Sequence, residues 1–507
     1  MTGALAASVS LLAGGIGCGS FGAADAPTTD GGPGVGDVVL EPPQPRDVRV
    51  EAGWPTLAGL DPAKDLRLSK ILVVVTDATD SSRRVEKSFA STELGPYEFT
   101  QFNTSNVVDV TIELSEGSGR LLGYGERRGW NLSTSKTVPV AARKRLLYFT
   151  SADRDDGQLR TLDLAPAGEA EPRMKELDPP DFPSLSEPRA LYVTTDGRLL
   201  VQAGQARGGT AGAGQLTVFD TGTHALSKTI TLKYRLSAAI PLGDGHRLLG
   251  APARDAKAAT FAITDIDSMM TTELATGLQG GAITIESITT SPDGARVAAV
   301  GSYADGNSDV PYAFTYDVGA STVSKRDLTG LVDVARGVRF MPDGKTLVVA
   351  GAKDDGDWAT GALLFFDATA GALADPKRTI PLAKGLTRVS SLMIDPAGKY
   401  AYVGNETNYG AQPACCADLR IIDLESGAQV AVAAFGSSGP EFELLEGVRL
   451  PYGARRVVVG QSDPGNNVHG PFVELVPSSP TPVPIGHVSN GDIGSINGLA
   501  TPFGTRL

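Results

Sequence analysis

Cysteine is almost absent, with three residues in a chain of 507. Disulfides are therefore excluded as the main source of stability, and the fold must rest on its core. Histidine is nearly as scarce. Of His224, His246, His469 and His487, none is spaced with another for zinc. No GxSxG elbow, Walker loop or HExxH helix is present, so no motif announces catalysis. Positive charge is outweighed, 45 Lys and Arg against 58 Asp and Glu, for a net charge of −13. Phosphate binding needs clustered Lys and Arg, so nucleic acid is excluded as a partner. A soluble surface or cation binding fits this balance. The hydrophobic content of 41% is ample for a large core.

Long hydrophobic runs are also missing. The apolar stretch at residues 4–17 is too short to span a membrane, but it fits the apolar region of a secretory signal. Cys18 follows it at once. The arrangement resembles a bacterial lipoprotein signal, in which that cysteine is lipidated. Gly15, Ile16 and Gly17 fit the size rule, although Gly15 stands where Leu is usual and no Lys or Arg precedes the run. Residues 19–64 are rich in Gly, Pro, Ala and Asp and show no apolar period, which reads as a disordered tether. Over 65–135 period-2 alternation predicts strands, clearest in Val108, Val110, Ile112 and Leu114 against Asp109, Thr111 and Glu113. This stretch resembles the small Ig-like β-sandwich modules that precede repeats in bacterial exported proteins.

From 136 to 507 a phrase recurs: apolar run, turn ending in Gly, second apolar run. Its copies include SPDGARVAAVG (291–301), MPDGKTLVVAG (341–351) and DPAGKYAYVGN (395–405). The turn glycines Gly197, Gly245, Gly294, Gly344, Gly398 and Gly453 are 48, 49, 50, 54 and 55 residues apart. Short strands at such a period predict a β-propeller. The glycine is read as the positive-φ residue of a two-residue hairpin between strands A and B. Strand C ends in Asp163, Asp220, Asp317, Asp367 or Asp423. Five aligned aspartates are either a ligand ring or caps on the C–D turns, and capping suits a turn that every blade needs. Seven B–C hairpins can be counted. The tail 497–507 lines up with 446–456 as a strand A with nothing after it, so it is expected to close the ring on the first blade.

The segments YAYVGN…LRIIDLESG (400–427) and TLVVAG…LLFFDATAG (346–371) resemble the YVTN-type and lactonase-like seven-bladed propellers of bacteria. The expected fold is thus all-β: a seven-bladed β-propeller preceded by the small Ig-like β-sandwich. The resemblance covers roughly the 136–507 region and carries strand and turn residues. It implies binding proteins, lactone hydrolases or redox-cofactor relatives without choosing among them.

The B–C connections 150–158, 203–215, 301–311, 351–361, 404–418 and 460–471 read as long loops on one face. That face is acidic, with Asp305, Asp309, Asp354, Asp355, Asp357 and Glu406 as the candidate ligand-binding residues. Asp305, Asn307 and Asp309 open like a calcium loop. Val310 stands where Gly is needed and no closing Glu follows, so an EF-hand is excluded. A looser carboxylate–carbonyl calcium site and a solvated acidic rim are the two readings of this face. Trp358 and Tyr409 are either ligand contacts or loop anchors. Adjacent Cys415 and Cys416 can form a strained vicinal disulfide in an oxidising compartment or remain free thiols. Arg189, Glu286 and Arg336, at strand-A starts, are candidates for chemistry at the central mouth.

Two functions follow. The first is a monomeric, envelope-anchored binding or scaffold module, without catalysis, that meets a protein or envelope component through its B–C face. The alternative is an exported lactonase-like hydrolase or redox-cofactor enzyme using the central mouth.

Overall fold

The computed structural model describes the chain from Leu40 to Ala500 apart from its connecting segments. Those left out are chiefly 55–61, 164–172, 177–184, 195–198, 207–212, 354–359, 383–387, 407–417, 435–447, 450–455, 460–467 and 490–494, with shorter gaps between.

The first sheet contains β1 (Gln44–Gly53), β2 (Leu68–Asp77), β3 (Asp80–Ala90), β4 (Tyr97–Thr104), β5 (Val107–Glu116), β6 (Leu121–Asn131) and β7 (Thr137–Lys144). Their order is β3-β2-β5-β6-β7-β1-β4, with β1 parallel to β7. Alternate residues turn inward, so Val73, Val75, Val108, Val110, Ile112 and Val138 share one core. The sheet curls until its edges nearly meet: Lys87 Nζ on β3 donates to Glu98 O on β4 at 2.6 Å, and the Phe89 and Tyr97 rings lie 4.5 Å apart. Two boundaries differ from the sequence reading. Gln44–Gly53 is a strand inside the stretch 19–64 read as a tether. Val48 and Val50 alternate with charged neighbours there, and their burial repays ordering. The strand Thr137–Lys144, placed in the propeller by sequence, completes this sheet instead.

Asp77 is the polar centre of this unit. Its buried carboxylate accepts from Thr79 N at 2.8 Å, Thr104 Oγ1 at 2.8 Å and Asp80 N at 3.1 Å, and from Ser105 N. Burial raises its pKa, but the Thr79 hydroxyl, Ser105 N–H and Thr104 hydroxyl outweigh that and hold it well below the usual range.

The rest of the chain forms a β-propeller. Five four-stranded sheets begin at Leu236 (blade 3), Ala282 (blade 4), Val334 (blade 5), Arg388 (blade 6) and Val448 (blade 7). An eight-stranded sheet holds blades 1 and 2, joined by the single pair Leu185–Gly157. In blade 1 the innermost strand is Ser495–Ala500, paired antiparallel with Leu146–Asp153 from Ser495–Ala152 to Ala500–Tyr148. The ring closes as the tail predicts. Cores form between blades: Ala298 and Val300 of blade 4 pack with Leu347 and Phe366 of blade 5, and Val348 of blade 5 with Leu392 and Ala401 of blade 6.

The A–B turns are longer than the two residues expected. Ser291 N donates to Arg296 O at 2.8 Å and Asp395 N to Tyr400 O at 2.9 Å, which leaves 292–295 and 396–399 as the connections. Their glycines are needed for two reasons. Gly294, Gly344 and Gly398 have φ of 69°, 65° and 73°. In addition, a Cβ on Gly398 would lie 2.9 Å from Pro342 Cδ in the turn of the preceding blade. The C–D aspartates act as caps where their side chains are described. Asp317 Oδ1 accepts from Ala320 N at 2.7 Å, Asp367 Oδ1 from Thr369 N at 2.8 Å, and Asp423 Oδ1 from Ser426 N at 2.8 Å. Cations on outer strands reach these turns: Lys228 Nζ donates to Ile266 O at 3.1 Å, and Arg378 Nη1 to Leu424 O at 2.6 Å.

Gly398→Ala should cost about 2–3 kcal/mol, against about 1–2 for Gly294→Ala, which has the same φ penalty and open space around it. Urea unfolding of both variants checks this, and equal losses would remove the stacking contribution. Asp77→Asn should cost about 1–3 kcal/mol at neutral pH. Because the folded pKa is depressed, the wild-type advantage is complete above about pH 4 and disappears as pH falls through the folded value. Urea melts at pH 7, 4 and 2 should show the gap closing; a gap that widens with acid would refute the assignment.

Candidate functional site

The inner strands share an irregularity. In each of five blades the ladder slips by a residue near the strand start, between Leu236 and Ala238, Ile285 and Ser287, Ala335 and Gly337, Val389 and Ser391, and Ile496 and Gly498. Blade 2 slips between Ser186 and Ala190. The bulged positions are Arg189 within the blade 2 slip, then Ser237, Glu286, Arg336, Ser390 and Asn497. A bulge re-aims the residue it extrudes. Here it does so at the end of strand A opposite the A–B turn, which is the end where the B–C hairpins emerge.

The repeat phrase encodes this bulge. Its terminal glycine lies across from the slip: a Cβ on Gly301 would come 1.9 Å from Thr284 O, and one on Gly351 would come 2.6 Å from Val334 O. Sequence reasoning had found Arg189, Glu286 and Arg336, but not Ser237, Ser390 and Asn497. A usable signal exists. Arg189, Ser237, Glu286, Arg336 and Ser390 each stand 8 residues before the turn glycine of their blade.

The described side chains are chemically diverse. Glu286 is exposed and Arg336 half-buried. Ser237 Oγ donates to Pro252 O at 3.0 Å. Beneath them Arg339 is buried at the hub and ties three blades together. Its Nη1 donates to Ser287 Oγ in blade 4 at 3.1 Å and to Val338 O at 2.6 Å, and its Nε reaches Met393 Sδ in blade 6 at 3.2 Å. Val338 N also donates to Ser287 Oγ, at 3.4 Å. Ser287 adjoins Glu286, so Arg339 fixes the bulge that presents that carboxylate.

The acidic face differs from expectation. Residues 301–311 form a continuous hairpin rather than a loop, with only 306–307 outside its strands. Asp305 pairs with Ser308, and Asp309 with Ala304. Alternating hydrogen-bonding residues simply extend the ladder, so these aspartates occupy adjacent rungs instead of wrapping around one point. The connection 150–158 is likewise a hairpin, closed at Asp153–Asp156. Glu406 ends its strand in register with Arg388. Asp354, Asp355, Asp357, Trp358, Tyr409, Cys415, Cys416 and Cys18 lie outside the described residues. Among the described residues, no group of three or more His, Cys, Asp or Glu is arranged to hold a metal ion. His246 belongs to the opposite, A–B turn face, where its Nδ1 is 2.8 Å from Asp267 Oδ2.

No family model and no curated protein matches the chain. Solved structures similar to it include the periplasmic gluconolactonase of Pseudomonas aeruginosa, at 18% identity and a TM-score of 0.49 over 70% of this chain and 98% of that one. A putative 6-phosphogluconolactonase from Bacteroides fragilis matches at 15% identity and a TM-score of 0.45, covering 70% and 96%. Hydrazine synthase of Kuenenia stuttgartiensis matches at 19% and 0.43, covering 61% and 80%. The propeller assignment stands on the sheet order and ring closure of this chain itself.

Proposed function

We propose that the protein binds a small polyhydroxylated anion at the mouth of the propeller, where the inner-strand bulges meet the B–C hairpins. The supporting observation is the bulge position itself, which is polar in six blades: Arg189, Ser237, Glu286, Arg336, Ser390 and Asn497. Hydroxyl, amide and carboxylate groups suit sugar hydroxyls, and a guanidinium suits a carboxylate or phosphate. A protein or envelope component meeting the B–C face is the larger form of the same binding role. A second reading is hydrolysis of a cyclic ester. Glu286 and Arg336 take the same register position in successive blades, and a general base beside a cation is what attack on an ester carbonyl requires.

Calorimetry with gluconate and 6-phosphogluconate is expected to show binding that weakens at least tenfold in Arg336→Ala. Assays on the corresponding lactones separate the two readings. Turnover that falls a hundredfold in Glu286→Gln would replace binding with hydrolysis. A folded protein that neither binds nor turns over any of these probes would refute both.

Export, with anchoring through Cys18, is part of the proposal. The N-terminal sheet, taken as an Ig-like module, then acts as a spacer between anchor and wheel. Wild type should fractionate with membranes and Cys18→Ala should be released. Both proteins in the cytosol, or both equally membrane-bound, would overturn the anchor.

A further inference from the structure

The strand registers allow the blades to be compared position by position. On the face that blade 4 turns to blade 3, the pairs are Ala299–Phe314 and Val297–Tyr316. On the face that blade 5 turns to blade 4, they are Val349–Leu364 and Leu347–Phe366. The same positions in blade 3, facing blade 2, are Gly250–Ala262 and Leu248–Thr264. Two large side chains that wedge the other blades apart are thus a methyl and a hydroxyl here.

The missing volume is open. A cleft of about 380 Å³ lies between blades 2 and 3, with Leu232, Leu236, Leu248, Gly250, Ala262 and Thr264 along its walls. That is within the size range of small-molecule sites, roughly 300–1,000 Å³. Its walls are apolar, and the Thr264 hydroxyl is already paired with that of Thr271 at 3.1 Å. Gly250 keeps the wall thin, because a Cβ there would come 2.8 Å from Leu236 Cδ2. At the mouth Lys233 Nζ donates to Glu273 Oε1 at 2.5 Å and stands 4.8 Å from the centre of the Tyr234 ring. The two charges neutralise each other, so the entrance offers no net attraction to an ion.

We propose that this cleft is a binding site for a neutral aromatic ligand of one or two fused rings, seated where the neighbouring blades seat Phe314, Tyr316 and Phe366. Apolar cavities that water does not fill accept such rings. The site is separate from the propeller mouth and does not depend on the reading of that mouth.

Indole is the probe, and the full chain is the sample. Saturating indole should raise the calorimetric Tm by about 2–5 °C, since a ligand that binds only the folded state stabilises it. Ala262→Phe copies Phe314; it should raise Tm without indole and abolish the indole shift. Ala262→Leu copies Leu364 and introduces less bulk; it should at least halve the shift and decides the matter if the larger residue prevents folding. No shift in folded wild type, or an undiminished shift in Ala262→Leu, would overturn the proposal.

Discussion

The pairing of Ser495–Ala500 with Leu146–Asp153 is the contact on which the wheel depends. Each blade buries its faces only against its neighbours, as the cores shared by blades 3 and 4, 4 and 5, and 5 and 6 show. A linear stack would leave two faces and two sets of strand edges exposed. Closing the stack with a strand from the far end of the chain removes both. The closing ladder joins residues separated by almost the whole propeller sequence, so its loop-closure entropy is large and its contacts are gained late. The short sheet of blade 7, whose innermost strand is only Val448–Arg449, meets the closure from the other side.

Radial arrangement imposes a second constraint. Blades converge at the axis and diverge at the rim. Near the axis, backbones approach so closely that a Cβ on Gly337 would lie 2.6 Å from Leu392 Cβ in the next blade. Small residues and bulges are the local response. The bulge shortens the ladder, turns one side chain out of the packed interior and requires Gly301 or Gly351 opposite it. Polar residues are tolerated at the bulged position because it is the one place on the inner strand that need not face a neighbouring blade. The mouth chemistry is therefore a by-product of the packing, and each blade can vary it without disturbing the core. Arg339 is the exception, since it is buried and its donors are distributed over three blades.

The propeller was legible because its signals are local and repeated. Turn glycines, capping aspartates such as Asp423 and the unpaired tail each have a physical cause that acts at one position. The N-terminal sheet was only half legible. β2 and β5 carry clean alternation, whereas β1 and β3 are largely exposed edges, with Arg46, Asp47, Arg83 and Arg84 masking the period. The bulged ring was found at its charged members and missed at its serines, because Ser237 looks like any strand residue until its fixed distance from Gly245 is noticed. The hairpin at Asp305–Ser308 was missed for the opposite reason. Asp, Gly and Asn suggest a loop, and ladder pairing overrode that propensity.

The divergence of the blades at the rim bears on where specificity can arise. Every propeller must fill the widening wedge between adjacent sheets, and large side chains on the middle strands are the simplest way. In blades 4 and 5 Phe314, Tyr316 and Phe366 do so and are buried. Reducing those residues in a single blade costs local packing, but the other wedges and the ring closure keep their contacts, so the loss stays confined to one interface. A closed ring can therefore hold a cavity that an open stack of the same blades could not, because separation along that interface would also have to break the closing strand. The inner bulges and the rim cleft then follow from one geometry. Convergence extrudes polar groups at the axis, and divergence leaves room for apolar ones at the edge.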